Sequence, residues 1–286
     1  MRHAPQDRRA AELDEAHSNR PKPTLCNRLK HTQDKLPETY HTETTMIALL
    51  LNSGLGSRMG DETREHPKCM TEIGPGETII SWQLKCLERV GVTEAVVTTG
   101  HLSDMLESYL LSLDTPIRFH FVNNPRYRET NYIYSVHLAR ELLAGRDVIS
   151  LHGDLVMHPE VMERLAASPV SAVTVDSTLP LPEKDFKGRV ADGMLCEVGV
   201  NVFGPDCIEL QPAYLLKSAQ TDRWLQEIAA FVSAGNDRVY AENAFNAAWR
   251  EIPIRPLDVQ GLLCAEIDNQ ADKENVSRRF AKEVLA

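Results

Sequence analysis

Residues 46–59 read MIALLLNSGLGSRM, an uninterrupted apolar run that passes directly into a loop with two glycines. A short apolar run bounded by turn residues is typical of a buried strand. Because glycine has no Cβ, the backbone N–H groups at 54 and 56 can approach a phosphate closely. The stretch therefore predicts a first strand over 47–51, followed by a loop suited to a phosphate-bearing ligand.

The rest of the chain alternates short apolar runs with segments of helical apolar spacing. The predicted strands are 47–51, 95–99, 117–122, 148–151, 172–175, 252–254 and 263–267; the predicted helices are 79–90, 103–111, 131–143, 159–166, 214–234, 241–250 and one from 270. Such alternation predicts an α/β fold, a three-layer α/β/α sandwich of Rossmann-like type with a mostly parallel sheet. The pair Asp192-Gly193 has the composition of a two-residue hairpin turn and predicts a small antiparallel ribbon.

Residues 1–45 differ from the rest of the chain, with few large apolar residues and many charges, prolines and histidines. Such a segment buries too little apolar surface to offset the entropy lost when it becomes ordered. We expect 1–45 to be either a non-native N-terminal extension, with Met46 as the biological start, or a disordered tail. A single folded domain is expected over 46–286.

The charge balance is acidic, with 31 Lys and Arg against 41 Asp and Glu and a net charge of −10. This argues against a protein that binds nucleic acid by neutralising phosphates. No apolar run approaches the roughly 18 residues of a membrane span, and no signal peptide is recognisable. The six cysteines are scattered without C-x-x-C spacing, as in a reducing cytoplasm. We therefore expect a cytoplasmic protein without nucleic-acid partners or membrane insertion.

Two cations follow the glycines of the first loop, Arg58 and the lysine of the pair Pro67-Lys68. They could offset phosphate charge that the acidic chain as a whole would repel. A G-x-G sequence alone is weak evidence, because a tight strand-to-helix turn has the same composition. The loop fits neither a P-loop nor the full dinucleotide pattern G-x-G-x-x-G. The combination of a strand, G-x-G-x-R and P-K is much more specific.

This combination resembles the signature of the sugar-phosphate and choline-phosphate nucleotidyltransferases, L-A-A-G-x-G-x-R-[ML] followed by P-K, and the resemblance runs from residue 46 to about 284. It implies a Rossmann-like nucleotidyltransferase fold in which Lys68 and Arg58 are catalytic. The residues that it implies for nucleotide binding are Leu51, Asn52, Ser53, Gly54 and Gly56. Asparagine and serine at 52–53 stand where the family commonly has two alanines, and the glycines are intact.

Two aspartates follow predicted strands and are candidate metal ligands. Asp154 comes after the strand at 148–151, at the sheet edge where open α/β folds bind ligands, and Asp268 ends an E-I-D segment. Either could instead cap a helix. The resemblance implies that both bind a metal, and two oxygen donors suit Mg²⁺, which keeps several waters. The histidines show no metal-ligand spacing, and only His152, beside Asp154, merits attention.

A second resemblance narrows the branch of the family. Residues 124–135 read NPRYRETNYIYS and are similar to the N-x-x-Y-x-x-x-N-x-x-S segment of bacterial phosphocholine and phosphonate cytidylyltransferases, as is YAEN at 240–243. It implies that Asn131 lies near the base or ribose. The candidate acceptor-binding residues are Tyr132, Lys187, Tyr240, Glu242 and Glu266. The tyrosines could equally pack a core, and the lysine could be a solvated hairpin charge. Aromatic faces with carboxylates would suit a small cationic head group.

The preferred interpretation is a Mg²⁺-dependent cytidylyltransferase with its catalytic domain at 46–286. Its partners would be CTP and a small acceptor such as phosphocholine, 2-aminoethylphosphonate or 2-hydroxyethylphosphonate, and it would release pyrophosphate. A sugar-1-phosphate nucleotidyltransferase using UTP, GTP or dTTP shares every motif of the first half. A glycosyltransferase is less expected because the chain has no D-x-D motif, and a non-catalytic homologue because no key residue is missing. A homodimer is compatible with these features.

Overall fold

The computed structural model describes residues 46–60 and 62–286. They belong to one compact unit, Glu43–Ala286. The extension predicted over 1–45 lies outside the described residues. Within the described part of the chain, no helix has the length and apolar character needed to cross a membrane.

The strands in chain order are β1 (Ile47–Leu51), β2 (Glu72–Gly74), β3 (Glu77–Thr78), β4 (Glu94–Thr99), β5 (Arg118–Asn123), β6 (Val148–His152), β7 (Leu155–Met157), β8 (Ala172–Asp176), β9 (Lys187–Ala191), β10 (Met194–Gly199), β11 (Cys207–Leu216), β12 (Arg255–Asp258) and β13 (Cys264–Glu266). The α-helices are α1 (Glu62–Glu65), α2 (Ile79–Arg89), α3 (Ser103–Ser112), α4 (Tyr132–Leu143), α5 (Pro159–Ala166), α6 (Ser218–Ser233), α7 (Glu242–Ala248) and α8 (Gln270–Glu283).

The central sheet has nine strands, and its middle is parallel. β5, β4, β1 and β6 lie side by side in that order and point the same way. β11 runs antiparallel to β6, and β8 and β12 continue the sheet beyond it. β10 and β11 run opposite to the other strands, so the predicted mostly parallel sheet is confirmed. The predicted ribbon is the β9–β10 pair, whose turn residues Asp192 and Gly193 both have positive φ.

β1 shows why helices cover both faces of the sheet. Its residues Ala48 and Leu50 belong to the core beneath α2, α3 and α5, and Ile47 and Leu49 to the core beneath α4, α6 and α7. All four side chains are fully buried. A strand without polar residues needs apolar cover on each side, and burying one large aliphatic side chain contributes about 1.5–3 kcal/mol. The predicted α/β/α layering is confirmed.

β11 is the main element that the sequence pattern misses. The helical spacing predicts a helix from 214, whereas residues 214–216 end this strand and α6 begins at Ser218. Pro212 interrupts the strand pattern, and the pairing with β8 shifts register between Leu210 and Tyr214. The strand predicted over 252–254 is also displaced, because β12 begins at 255. The isoleucines of that segment mark a buried position, not a paired strand.

Candidate active site

A cavity of about 450 Å³ opens where the parallel strands of the sheet end. Carboxyl ends of parallel strands share one edge, where open α/β sheets bind ligands, and the volume is typical of small-molecule sites. The cavity is lined by most of the residues predicted from the sequence, namely Leu51, Asn52, Ser53, Gly54, Gly56, Arg58, Lys68, Asn131, Tyr132, Asp154, Tyr240, Glu266 and Asp268. The exceptions among the candidates are Glu242 and Lys187.

The loop after β1 forms the floor of the cavity. Gly56 has φ 62°, and a Cβ there would lie 3.0 Å from side-chain atoms of both Lys68 and Thr63. Both the backbone conformation and the packing therefore favour glycine at 56. A Cβ at Gly54 would meet no described atom within 4 Å. Packing does not explain the glycine at 54, and its role in phosphate approach stays a prediction.

Four charged side chains from three distant segments meet beside this loop. The Lys68 ammonium lies 2.5 Å from Asp154 Oδ2 and 2.6 Å from Asp268 Oδ1. The second oxygen of Asp268 lies 2.5 Å from Arg58 Nη1. Lys68 and both carboxylates are largely shielded from solvent, while two-thirds of the Arg58 side chain is exposed. The predicted catalytic and metal-binding residues therefore contact one another directly.

The charges of this group are maintained by their mutual contacts. Burial lowers the pKa of Lys68, but the charge and hydrogen bonds of Asp154 and Asp268 outweigh it and the pKa is raised. Burial raises the pKa of Asp154, but the positive charges of Lys68 and His152 outweigh it and the pKa is lowered. Lys68 and Asp154 thus stay charged at neutral pH.

The donor set at Asp154 fits a divalent cation. Its Oδ1 is buried and accepts no hydrogen bond from any described residue. Ligand atoms of His152, Asp154 and Glu266 lie within 4.8 Å of one another. A buried acceptor without a donor is costly, and oxygen ligands suit Mg²⁺. Asp154 could thus act either with Asp268, as the family resemblance implies, or with its neighbours in this cluster.

His152 lies at the centre of the site, although it lacks a metal-binding spacing in the sequence. Its Nδ1 is 3.1 Å from Glu266 Oε1, and its Nε2 is 4.0 Å from Glu242 Oε1. Burial lowers the pKa of His152, but the two glutamates outweigh it and raise it to about 9. A proton and a metal ion would compete for the imidazole, whereas the carboxylate oxygens are the ligand type that Mg²⁺ prefers. The signal in the sequence is its position at the end of β6, two residues before Asp154.

Glu242 supports the wall of the cavity from behind. The side chain is only 5% exposed, and its carboxylate accepts hydrogen bonds from the hydroxyls of Tyr132 and, at 3.1 Å, Tyr214. Burial and the glutamate charge raise the pKa of both tyrosines, so both hydroxyls stay protonated and can donate. The glutamate therefore holds Tyr132 in place and does not line the cavity. Tyr214, in β11, is a site residue that the sequence pattern misses.

Asn131 sits where α4 begins and lines the cavity, and its predicted position near the base or ribose stays a prediction. Its Oδ1 accepts a hydrogen bond from Tyr132 N at 2.8 Å. The segment before it is tied to the first loop, since Ser53 and Ser135 hydroxyls lie 2.7 Å apart and Asn124 donates to Ser135 at 3.0 Å. Asn124 and Ser135 belong to the quoted motif, and the structure shows that they join its two halves.

Lys187 is not brought into the cavity, contrary to its predicted role. The side chain is fully buried, and its Nζ donates to the carbonyl oxygens of Pro182 at 2.7 Å and Asp185 at 2.9 Å. It also lies 4.4 Å from the centre of the Phe203 ring. It therefore stabilises its own loop. The preceding residues 184–186 line the cavity instead, and they include a lysine.

Comparisons with known proteins place these features in a family. Residues 48–242 match the family described as the MobA-like NTP transferase domain. The chain is 31% identical over 276 residues to CMP-5'-(3-aminopropyl)phosphonate synthase of Streptomyces rubellomurinus, covering 89% of this chain and 41% of that protein. It is 28% identical over 255 residues to CTP:phosphoglutamine cytidylyltransferase of Campylobacter jejuni, covering 80% of this chain and 98% of the relative. The chain thus spans about two-fifths of the Streptomyces protein and nearly all of the Campylobacter one.

Solved structures show the same fold. CTP:phosphocholine cytidylyltransferase of Streptococcus pneumoniae matches with a TM-score of 0.66 and 18% identity, over 82% of this chain and 98% of that one. UDP-glucose pyrophosphorylase in complex with UDP-glucose matches with a TM-score of 0.69 and 15% identity, over 83% and 98%. Both cytidylyl- and sugar-phosphate enzymes therefore share this architecture.

Proposed function

The chain belongs to the family of MobA-like NTP transferase domains and is a nucleotidyltransferase, and from this we propose that it transfers CMP from CTP to a small phosphate or phosphonate acceptor. The observation that carries the proposal is the contact of Lys68 with Asp154 and Asp268 beside the first loop. These groups combine positive charge for a triphosphate with oxygen ligands for a metal, at the edge where the cavity opens.

In the proposed reaction, an anionic oxygen of the acceptor attacks the α-phosphorus of the nucleotide. A new P–O bond forms while the bond from the α-phosphorus to the oxygen bridging the β-phosphate breaks, and pyrophosphate leaves with that electron pair. The nucleophile is already ionised, so no general base is needed. The task of the protein is to position the two reactants and to offset their negative charge, and Lys68 and Arg58 are the cations beside the loop that can do so.

Asp154 and Asp268 would hold Mg²⁺, with Glu266 close enough to assist. When bound, the ion would supply positive charge to phosphate oxygens. The ammonium of Lys68 contacts both aspartates, so we expect it to turn from the carboxylates to the phosphates when the nucleotide binds. Lysine suits such an exchange, because its compact charge sits on a flexible stem.

The cytidine preference is supported by the two relatives, whose names contain CMP or CTP. The acceptor class is supported by the cavity wall. Tyr132 and Tyr240 have ring centres 5.9 Å apart, and Phe186 meets Tyr240 edge-on at 5.0 Å. The carboxylates of Asp185 and Glu266 line the same space. Aromatic faces with carboxylates suit an amino or trimethylammonium group, and Lys184 could pair with the acceptor phosphonate.

Pyrophosphate release tests the proposal. Phosphocholine, phosphoethanolamine, 2-aminoethylphosphonate and 2-hydroxyethylphosphonate would each be assayed with CTP, UTP, GTP and dTTP, beside glucose 1-phosphate with UTP and dTTP. We expect turnover with CTP and at least one amino-bearing acceptor. Efficient turnover of the sugar phosphate with none of the small acceptors would replace the proposal by the sugar-1-phosphate alternative. Reaction of 2-hydroxyethylphosphonate alone would support a cytidylyltransferase but contradict the proposal that the aromatic wall binds a cationic group.

A further inference from the structure

The side chain of Asn52 is buried at the edge of the cavity without hydrogen bonds. Only 8% of the residue is exposed, it lines the cavity, and neither Nδ2 nor Oδ1 has a partner among the described residues. Its backbone N–H, in contrast, is fixed by Thr98, whose carbonyl oxygen lies at 3.2 Å and hydroxyl at 3.1 Å. A buried amide that lacks both partners destabilises a fold, and each such group needs an explanation.

Gly153 makes the room that this amide occupies. A Cβ on Gly153 would lie 2.1 Å from Asn52 Oδ1 and 2.6 Å from the carbonyl oxygen of Leu51. The Gly153 N–H donates to that same carbonyl at 3.1 Å, which joins the end of β1 to the turn after β6. The amide therefore lies between the start of the phosphate loop and the turn that carries Asp154.

We propose that the Asn52 side chain binds the ribose hydroxyls of the nucleotide and makes the enzyme selective for ribonucleotides; this inference rests on the proposed function. A nucleoside triphosphate extends from the phosphates through the ribose to the base. With the phosphates over the loop at 54–56 and the reacting phosphorus near Asp154, the group next to the reacting phosphorus is the ribose. Asn52 lies two residues before Gly54 and its amide adjoins that turn, so it lies next to the place where the ribose is expected.

The chemistry of the amide favours hydroxyls over the other groups of a nucleotide. Phosphate oxygens only accept hydrogen bonds, so they would satisfy Nδ2 and leave Oδ1 without a donor. Each ribose hydroxyl both donates and accepts, so the 2′ and 3′ hydroxyls together can satisfy both atoms of the amide. The base also offers donors and acceptors, but it lies beyond the ribose, farther from Asp154. Ser53, the next residue, already shares its hydroxyl with Ser135.

Binding of CTP, 2′-deoxy-CTP and 3′-deoxy-CTP with Mg²⁺ to wild type and Asn52→Ala, measured by titration calorimetry, tests the inference. We expect wild type to bind CTP about tenfold more tightly than either deoxy compound, the effect of one good hydrogen bond. Asn52→Ala removes both hydrogen bonds, so it should weaken CTP about 100-fold and each deoxy compound, which keeps one of the two bonds in wild type, about tenfold; the variant should then bind all three alike. Its melting temperature should not fall, because an unpaired buried amide has been removed.

Ser53→Ala is the matched control, because it removes a neighbouring hydroxyl whose partner is Ser135 and leaves the Asn52 amide in place; it should keep the wild-type preference for CTP over the deoxy compounds. Asn52→Ser repeats the test should the alanine variant fold poorly. An equal loss of binding affinity for CTP and both deoxy compounds in Asn52→Ala would overturn the inference. A loss of binding affinity for CTP that is not seen for UTP would also overturn it, since the amide would then bind the base. The titration needs no acceptor, so a wrong acceptor class leaves it intact. Failure of wild type to bind any nucleoside triphosphate would instead refute the proposed function.

Discussion

The two sides of the cavity are built on different principles. On the nucleotide side, defined by the loop after β1 with Arg58, Lys68, Asp154 and Asp268, functional groups contact one another directly as ion pairs. On the acceptor side, defined by Tyr132, Phe186 and Tyr240, aromatic rings form the wall and a buried glutamate holds one of them from behind.

The difference fits the ligands that we propose for the two sides. A triphosphate with a metal presents the same charges in every enzyme of this chemistry, so short loops at strand ends can carry the required groups. An acceptor is recognised by shape and by a few polar atoms, which must be placed by packing. We therefore expect substitutions on the nucleotide side to reduce turnover, and those on the acceptor side to change the KM for the acceptor.

The largest effect is expected from Lys68→Ala. This change removes the cation that contacts both aspartates, and kcat/KM for CTP should fall about 10²–10³-fold, as on loss of a group that stabilises transition-state charge. Lys68→Arg should recover little, because a planar fork does not replace a compact ammonium. Lys85→Ala, which removes an exposed lysine paired with Glu77, is the matched control and should stay near wild type. If Lys68→Ala turned over nearly as fast as Lys85→Ala, the proposal that the nucleotide side controls turnover would be wrong.

Asp154→Asn and Asp268→Asn should have the next largest effect. Each removes a charged oxygen ligand, and turnover at limiting Mg²⁺ should fall by at least about 10–100-fold, the range seen even when an outer partner of a metal ligand is lost. Raising Mg²⁺ should recover part of the rate. Pyrophosphate release measured across a Mg²⁺ titration checks this. Asp206→Asn, at the partly exposed ion pair with Arg189, is the control. Wild-type Mg²⁺ dependence in either variant would remove that residue from the ligand set.

Glu242→Gln should have a smaller effect that is confined to the acceptor. An amide in this place offers one acceptor oxygen where the carboxylate serves two tyrosine hydroxyls, so Tyr132 loses part of its support. We expect the KM for the acceptor to rise about tenfold and the KM for CTP to stay within about twofold, the cost of roughly one hydrogen bond. Tyr132→Phe should reproduce this pattern and Tyr214→Phe should not. A parallel rise in both KM values would show that the two sides are not separable.

The smallest effect is expected far from the cavity, at Glu94. This residue opens β4, and hydrogen bonds from Arg146 at 2.9 Å and Arg118 at 2.5 Å lower its pKa to about 2. A glutamate pKa that is lower in the folded than in the unfolded state stabilises the fold at pH values above the unfolded pKa, which is near 4.3. This stabilisation is lost as the pH falls towards 2. Wild type should melt about 1–3 °C above Glu94→Gln at pH 7, and the gap should close between pH 4.5 and 2. Turnover should not change, and a gap independent of pH would contradict the assignment.

The acceptor side also shows where prediction from the sequence fails. Lys187 follows a charged loop that does line the cavity, yet its side chain turns back to bind the loop carbonyls. Glu242 contacts a residue of the cavity wall but lies behind that wall. Tyr132 and Glu242 are 110 residues apart, so no local pattern could indicate that their side chains would meet. His152 has no ligand spacing along the chain and becomes central only because Glu266 is folded against it.

The sequence by itself determined the α/β layering and the parallel core of the sheet, and the family resemblance predicted which charged residues would share one site. The apolar strands and helical spacing are local patterns, and parallel strands place all their carboxyl ends at one edge, so residues that follow different strands must converge. Lys68 and Asp268, which are 200 residues apart, were assigned to one site only through the resemblance to the nucleotidyltransferase family. Only the tertiary structure decided the course of β11, the direction of Lys187 and the unpartnered amide of Asn52. The direction and burial of a side chain depend on which distant segments pack around it, and those contacts leave no periodic trace in the sequence.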